Sequence, residues 1–404
     1  MKRGRLWFRI HSFVGLNLSL LLGLIFFTGT LAVFSSEIDW LFKPQMRASA
    51  TVAPADLPWE AIAVSLAEHV PDGRVEVVEA GPSPIFAPAA YVTLPDGPIR
   101  VIYFDSETGA VQGEGPLLSA KSLLRSIHSR LLIPDPLGTT LVSLLSLFLL
   151  ISLATALLIY KKWWRGFFKL PRVHRSRRIF WGDVHRLLGV WGMVFGLLMG
   201  TTGLWYFVEE IAAPAPLFSD AATPAAKIDN GESAIRFPAA LAAARTAYPD
   251  LSIRRIAWPG ADSAAFGFYG QDGTVLVRPR ASGVIVDAFE ASVIDRHSGS
   301  EATVHQRISE AADPLHMGYF AGYWSKALWF VFGLMMTVLA FSGATIFVKR
   351  LARDDDAASP AERRKRKLRI WLGWRNGLGA GLLLAVLGIG SILYFLRGEI
   401  GLLV

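Results

Sequence analysis

The sequence predicts a polytopic α-helical membrane protein built from two like halves, and three observations lead there. Five stretches without a charged residue are each long enough to cross a bilayer. Lysine and arginine gather in the short segments beside those stretches. Four histidines recur at the mouths of four of them.

The uncharged stretches are Ser12–Phe34, Leu137–Tyr160, Leu187–Val208, Ala327–Val348 and Asn376–Leu396. About 20 apolar residues cross the hydrocarbon core, and without water only a helix pairs every backbone polar group of such a segment. The first stretch follows MKRGRLWFR, but its run exceeds a signal peptide's apolar region and no A-x-A site ends it, so it reads as an uncleaved span. Trp7, Trp40, Trp163, Trp164, Trp181, Trp324, Trp371 and Trp374 lie at span ends, as an interfacial aromatic belt would.

The net charge of +8 belongs to topology. Residues 1–11, 161–186 and 349–375 carry 4, 9 and 10 of the 41 basic residues, whereas the long loops 35–136 and 209–326 are acidic on balance. The positive-inside rule then places the N-terminus in the cytoplasm and both long loops outside, and five spans put the C-terminus outside as well, which in a bacterial inner membrane would be the periplasm. The cluster ERRKRKLR (362–369) is a lipid-facing anchor, with no nucleic-acid partner implied. No cysteine is present, which removes disulfides, iron–sulfur clusters and thioether-linked haem.

The halves are visible as repeats. One constant shift along the chain carries His11 onto His185, Gly15 onto Gly189 and Thr28-Gly29 onto Thr202-Gly203. A second, slightly longer shift carries His128 onto His316 and Lys161-Lys162 onto Lys349-Arg350. The long loops echo one another: residues 57–79 and 237–260 each read as an apolar helix, a Pro-Asp turn and a strand, with further strands over 91–113 and 267–289. FDSETG (104–109) makes a turn at which the second loop is expected to carry IDRHSG (294–299).

The expected order is therefore 1–34 (N-terminus and first span), 35–127 (first α+β domain), 128–160 (second span) and 161–184 (basic loop). Then come 185–208 (third span), 209–315 (second α+β domain), 316–348 (fourth span), 349–375 (basic loop) and 376–404 (fifth span and C-terminus). Two spans per half make the repeats parallel, related by an axis along the membrane normal.

That axis sets His11 opposite His185 near one surface and His128 opposite His316 near the other. Two imidazoles from facing helices are what axial ligation of a haem iron requires. Without cysteine, the implied cofactors are two b-type haems in a four-helix bundle, with one extra C-terminal span. Four histidines in matched positions favour this over interfacial histidines that are merely tolerated. Arg9 and Arg186 flank the inner pair and Arg125 and Arg130 the outer, as possible propionate partners; the competing reading is that they snorkel at helix ends. His69, His297, His305 and His174 lack ligand spacing and read as polar surface, and the methionines of the spans read as packing. No catalytic acid–base set, nucleophile motif, P-loop or dinucleotide fingerprint is present.

RIHSFVGL, SIHSRLLIPDPLG, DVHRLLGVWG and PLHMGYFAGYWSKALW, with TGTLAVF, TTGLWYF and FDSETGAVQG, resemble the PepSY-associated transmembrane family over roughly residues 5–350. The resemblance implies an inner-membrane di-haem protein with PepSY-like periplasmic domains, ligated by His11, His185, His128 and His316. Some members of that family are ferric-siderophore reductases, and the likeness implies the same route here: electrons cross two bis-histidine haems to a periplasmic ferric chelate and release iron as Fe(II). No flavin reductase domain is appended, so quinol or a separate cytoplasmic reductase would be the donor. Two other readings are a haem-bearing subunit of another periplasmic oxidoreductase and a non-haem PepSY-type regulatory protein.

Overall fold

A computed structural model describes residues 2–95, 97, 99–219, 221–225, 228–260, 263–351, 359–362, 364–365, 386–391 and 393. The fifth predicted span, 376–396, and the basic segment 349–375 fall for the most part outside these described residues. The α-helices, in chain order, are α1 (Lys2–Asn17), α2 (Ser19–Ala32), α3 (Ser35–Phe42), α4 (Trp59–His69), α5 (Ala120–Arg130) and α6 (Leu137–Ile159). They continue with α7 (Arg177–Trp191), α8 (Met193–Ile211), α9 (Asn230–Ala247), α10 (Val304–Met317) and α11 (Gly322–Leu351). The strands are β1 (Arg74–Glu79), β2 (Ala89–Thr93), β3 (Ile99–Phe104), β4 (Val111–Pro116), β5 (Ser252–Ala257), β6 (Ala265–Gln271), β7 (Ser282–Asp287) and β8 (Val293–His297). The chain divides into a helix unit (1–34, 123–214 and 315–404) and a sheet unit (35–122 and 215–314).

In the helix unit, α6 and α11 are each long and apolar enough to cross a membrane unaided. The first and third predicted spans are not single rods. Each is a helix pair, α1–α2 bent by 59° and α7–α8 bent by 64°. The bends fall at Leu18 and Gly192, which the shift relating His11 to His185 also superposes, and both residues have ψ near zero. The hydrogen-bond ladder runs through both breaks, from Leu18 N to Val14 O and from Gly192 N to Leu188 O. A Cβ at Gly192 would stand 2.9 Å from Leu188 O, so glycine permits the sharper turn.

The bends change helix partners. Before them, α1 packs on α6 and α7 on α11, each within its own half; after them, α2 packs on α11 and α8 on α6, across the halves. Small residues let these helices close up. A Cβ at Gly203 would meet Ser146 at 2.9 Å, one at Gly200 would meet Leu150 at 2.6 Å, and one at Gly23 would meet Phe341 at 3.0 Å.

In the sheet unit, the two α+β domains expected as separate bodies form one antiparallel sheet ordered β4-β3-β2-β1-β5-β6-β7-β8. Its centre is self-complementary. Val78 pairs with Ile256, Val77 with Ala257 and Glu79 with Arg255. The shift that carries Val78 onto its own partner also carries Val77 onto Arg255 and Glu79 onto Ala257, exchanging the two flanking pairs. A local two-fold axis therefore passes through the Val78–Ile256 pair. Bulges interrupt both strands at matching places, Val75/Val77 and Ile253/Arg255. The bonds from Ala80 N to Arg254 O (2.8 Å) and from Trp258 N to Glu76 O (3.4 Å) are also counterparts.

Helices α4 and α9 pack on one another. Trp59, Ile62 and Phe104 of the first half and Phe237, Phe266 and Phe268 of the second share one buried core. Truncating such an aromatic costs about 3–5 kcal/mol, and both halves supply them to the one core.

The turn comparison needs correction. Asp105 Oδ1 accepts the backbone N–H groups of Glu107 and Thr108, and Asp287 Oδ1 accepts those of Phe289 and Glu290. The counterpart of FDSETG is therefore the turn after β7. IDRHSG is strand β8 and its end, and His297, expected at the surface, is buried against Phe218. An aspartate capping a tight turn is a stronger equivalence than a similar string of letters.

Asp272 ties the second half together. Its Oδ2 accepts the hydroxyls of Tyr248 (2.5 Å), Ser282 (2.8 Å) and Ser298 (2.6 Å). Burial would raise its pKa, but bonds from Ser298, Thr274 and Tyr248 outweigh burial and hold the carboxyl well below the usual range. A depressed carboxylate stabilises the fold above its unfolded pKa of about 3.9 and loses that contribution as pH falls through the folded value. We expect Asp272→Ala to cost about 1–3 kcal/mol at pH 7 by stranding three hydroxyls. Thermal unfolding in mild detergent should show a lowered midpoint, with the gap to the parent shrinking below about pH 4.

Candidate functional site

Each of the four histidines sits on a helix that leads into, or forms, a candidate span: His11 on α1, His128 on α5, His185 on α7 and His316 on α10. The ring centroids of His11 and His185 are 6.3 Å apart, and those of His128 and His316 are 6.1 Å apart. Both pairs join one half to the other.

Every ring is anchored through Nδ1 to its own half. His11 Nδ1 meets Ser152 O at 3.1 Å and Thr155 Oγ1 at 3.2 Å. His185 Nδ1 meets Leu339 O at 3.1 Å and Ser342 Oγ at 2.9 Å. His128 Nδ1 meets Ile25 O at 2.9 Å, and His316 Nδ1 meets Thr202 Oγ1 at 2.7 Å. Each of these hydroxyls also lies within hydrogen-bond reach of a carbonyl of its own helix, Thr155 of Ile151, Ser342 of Leu339 and Thr202 of Leu198. A carbonyl can only accept from a ring nitrogen. At His11, His128 and His185 Nδ1 is therefore the N–H nitrogen, and in the neutral ring Nε2 carries the lone pair. Metal-bound histidines are oriented by bonds of this kind.

These acceptors refine the repeat. Ser152 corresponds to Leu339 and Thr155 to Ser342, a shift one position shorter than the one relating His128 to His316. The first half thus holds one more residue than the second between its outer histidine and the acceptors, and Lys162, not Lys161, matches Lys349. The sequence signal for these residues was weak, hydroxyls scattered through apolar runs with no partner visible.

Glycines shape the surroundings. A Cβ at Gly15 would meet nothing within 4 Å, and one at Gly189 would meet only Leu339 at 3.7 Å. Both lie four residues after an inner histidine and so share its helix face. Among the described residues, no atom beyond the local helix backbone lies closer than 3.7 Å to either added Cβ. Gly29 does the opposite, since its Cβ would stand 2.6 Å from the ring of His128.

After His128, Leu131 and Leu132 take left-handed backbone at φ 52° and 61°. Such residues cost about 1–3 kcal/mol each. Leu131 is buried with Leu21, Leu22 and Ile25, which offsets the strain and holds the chain reversal. Gly318 (φ 75°) makes the corresponding reversal after His316.

The four arginines divide into two kinds. Arg186 donates to Asp183 Oδ1 (2.9 Å) and Lys169 O (3.0 Å), and Arg172 donates to the same carboxylate. Arg130 donates to Asp135 at 2.8 Å. Arg186 and Arg130 thus hold loops in place. Arg9 and Arg125 are exposed, and Arg125 lies one turn before His128.

Among the described residues no group of three or more His, Cys, Asp or Glu could hold a metal ion. A bare zinc site takes at least three protein ligands, so two histidines suffice only for a metal that brings other ligands with it. Imidazole nitrogens bind metals at about 2 Å, and two rings sharing one metal through Nε2 have centroids about 6 Å apart, as here.

We expect Gly29→Ala to displace the His128 ring and cost about 1–3 kcal/mol, and Gly15→Ala to be neutral or to stabilise its helix by up to about 1 kcal/mol. Thermal unfolding midpoints in mild detergent should fall for the first and hold or rise for the second.

A family model described as the PepSY-associated TM region matches residues 8–350. An uncharacterized protein of Pseudomonas aeruginosa is 35% identical over 86 residues. That stretch covers 21% of this chain and 21% of the relative, so the match spans about a fifth of the relative's length.

Proposed function

We propose that this chain, which belongs to the PepSY-associated TM region family, carries electrons across the inner membrane through two bis-histidine b-type haems. His11 and His185 hold one, His128 and His316 the other. The electrons leave to a ferric chelate in the periplasm, a ferric siderophore being the substrate class. The observation that carries this reading is that every Nδ1 has a hydrogen-bond partner in its own half, a carbonyl at His11, His128 and His185, while the rings meet in pairs at the spacing of a shared metal.

Haem held by His11 and His185 and by His128 and His316 would supply a one-electron Fe(III)/Fe(II) couple, chemistry suited to electron transfer. The rest is done by the chain. Hydrogen bonds at Nδ1 fix ring orientation and, at His11, His128 and His185, keep the proton on that nitrogen. Phe195, Trp329, Met336 and Leu149 pack into an apolar cluster in the helix unit and exclude water from it. Arg9 and Arg125, which are exposed, and Arg186 and Arg130, whose Nε atoms are buried without a hydrogen-bond partner, are the cations we assign to propionates.

The path between the sites is short. Along α1–α2 the chain runs from His11 to Ile25, which backs His128, a contour of about 21 Å at a rise of about 1.5 Å per residue. The bend at Leu18 shortens it further. Outer-sphere reduction of a ferric chelate needs no general acid or base, so the chain supplies a route and an exit in place of a catalytic dyad. Electrons enter on the cytoplasmic side from quinol or a separate reductase.

The test is a dithionite-reduced minus air-oxidised spectrum after mild extraction, with a pyridine haemochrome to count b haem. Two haems per chain are expected, falling to one in His11→Ala or His128→Ala, with Fe(II) formed from ferric siderophore outside reductant-loaded vesicles. Absence of haem would overturn the reading in favour of a regulatory membrane protein. Two haems without ferric reduction would point to a subunit serving another periplasmic oxidoreductase.

A further inference from the structure

We propose that Asp39 is a positioning residue for His128: by capping the start of α5 it fixes the helix that presents this ring at the outer pair. The proposal rests on the reading that the histidine pairs hold haem.

Helix α5 is 11 residues long, and none of its side chains is fully buried. A helix that short is marginal by itself, so its place depends on what holds its ends. Every backbone donor at its start is accounted for. Ser119 N–H donates to Ser122 Oγ at 2.8 Å, and Ser122 N–H donates to Ser119 Oγ at 3.1 Å. The two N–H groups between them, of Ala120 and Lys121, go to Asp39, one to each carboxylate oxygen at 2.9 Å.

Asp39 is 4% exposed and comes from α3, 81 residues before Ala120. Helix α5 has no acidic residue in its own first turn, so the negative charge favoured at a helix N-terminus is supplied by another helix. The Lys43 amine lies 3.5 Å from Asp39 Oδ1. Without the carboxylate, that cation would remain beside the positive end of α5, and the helix start would lose two charge-assisted bonds.

His128 is thereby fixed from two directions. Ile25 O, on α2, meets its Nδ1 at 2.9 Å and sets the ring. Asp39, on the helix that follows α2 in the chain, holds the other end of α5, about 12 Å away at a rise of about 1.5 Å per residue. A short rod held at the ring alone can pivot; held at both points, it offers the ring in one place. The second half reaches the same end with neutral groups. Gln306, 8% exposed in the first turn of α10, accepts the Thr303 N–H at 2.9 Å and donates to Leu217 O at 2.9 Å. Helix α10 carries His316.

Carbon monoxide difference spectra of the reduced full chain in mild detergent test the proposal, because a haem that loses one histidine opens a position to carbon monoxide. On a His11→Ala background, where the outer pair alone is expected to keep haem, Asp39→Ala should raise the ratio of CO-binding haem to haem that excludes it. The expected rise is roughly tenfold, the factor for one lost bond to a charged group. Asp39→Asn keeps the shape and one acceptor and should give a smaller rise. Free imidazole added beforehand should suppress the new signal by taking the vacated position. On a His128→Ala background, which reports the inner pair, Asp39→Ala should change nothing. Hydrogen exchange over residues 119–130 should quicken in Asp39→Ala, a readout that does not depend on haem.

An unchanged CO signal on the His11→Ala background in both Asp39 variants would overturn the proposal. So would an equal rise on the His128→Ala background, which would mark general loosening in place of control over one ring. Either result leaves the transmembrane route intact. A wild-type protein without haem would instead sink the underlying reading, and the pyridine haemochrome tells the two failures apart.

Discussion

A histidine ring in an apolar setting has two nitrogens to account for, and in this protein one of them governs the helix arrangement. The Nδ1 of each paired histidine meets a carbonyl or hydroxyl on a neighbouring helix of its own half. An unmade bond there would cost about 1–3 kcal/mol, and inside a bilayer no water stands in. The acceptors must lie within about 3 Å of the ring nitrogen, so they dictate which helices touch: α1 must lie on α6, and α7 on α11. Each half thereby presents an oriented ring to the other. Once those contacts are set, the bends at Leu18 and Gly192 follow as the means by which α2 and α8 leave their first neighbours and cross to the other half.

Duplication is expressed differently in the two units. In the helix unit the halves stay distinct and meet through ring pairs and crossed helices. In the sheet unit they fuse, with β1 and β5 hydrogen-bonded about a local two-fold axis and one core beneath both. An antiparallel pair of equivalent strands is compatible with such an axis because reversing the direction of one strand is what a half-turn does. Symmetry is broken where side chains differ. Asp272 and its three hydroxyls have no counterpart in the first half, where Leu94 stands at the equivalent position.

Much of this was legible in the chain. Spans show because burial in lipid demands long uncharged runs, and repeat spacings show because the same constraint was met twice with the same residues. The histidine pairing followed from the repeat alone, since parallel halves bring equivalent entrances together. What stayed hidden depended on non-local geometry. Thr155 and Ser342 are ordinary hydroxyls until α6 and α11 are folded against the inner histidines. The slip of one position between the outer histidines and the acceptors is visible only through the hydrogen bonds. The bends at Leu18 and Gly192 leave no mark on the hydropathy, because lipid reads apolarity and not direction. Fusion of the two α+β loops is hidden because pairing between strands so far apart in the chain has no local signature. The turn at Asp287 is obscured because a glycine-containing string resembles FDSETG more closely than the segment with the equivalent cap does.

The shared sheet also constrains how the polypeptide comes into being. Strand β1 is complete early in synthesis, yet its second neighbour, β5, follows only after α5 to α9 have been made. Until that neighbour emerges, the nascent first half exposes an unpaired row of N–H and C=O groups, the kind of edge that templates association with other chains. Pairings between such distant segments form slowly, and chains held partly folded in the interim are prone to aggregate. The midline of the finished sheet is thus the most exposed frontier of the half-made one, and translation past Ala257 is what closes it.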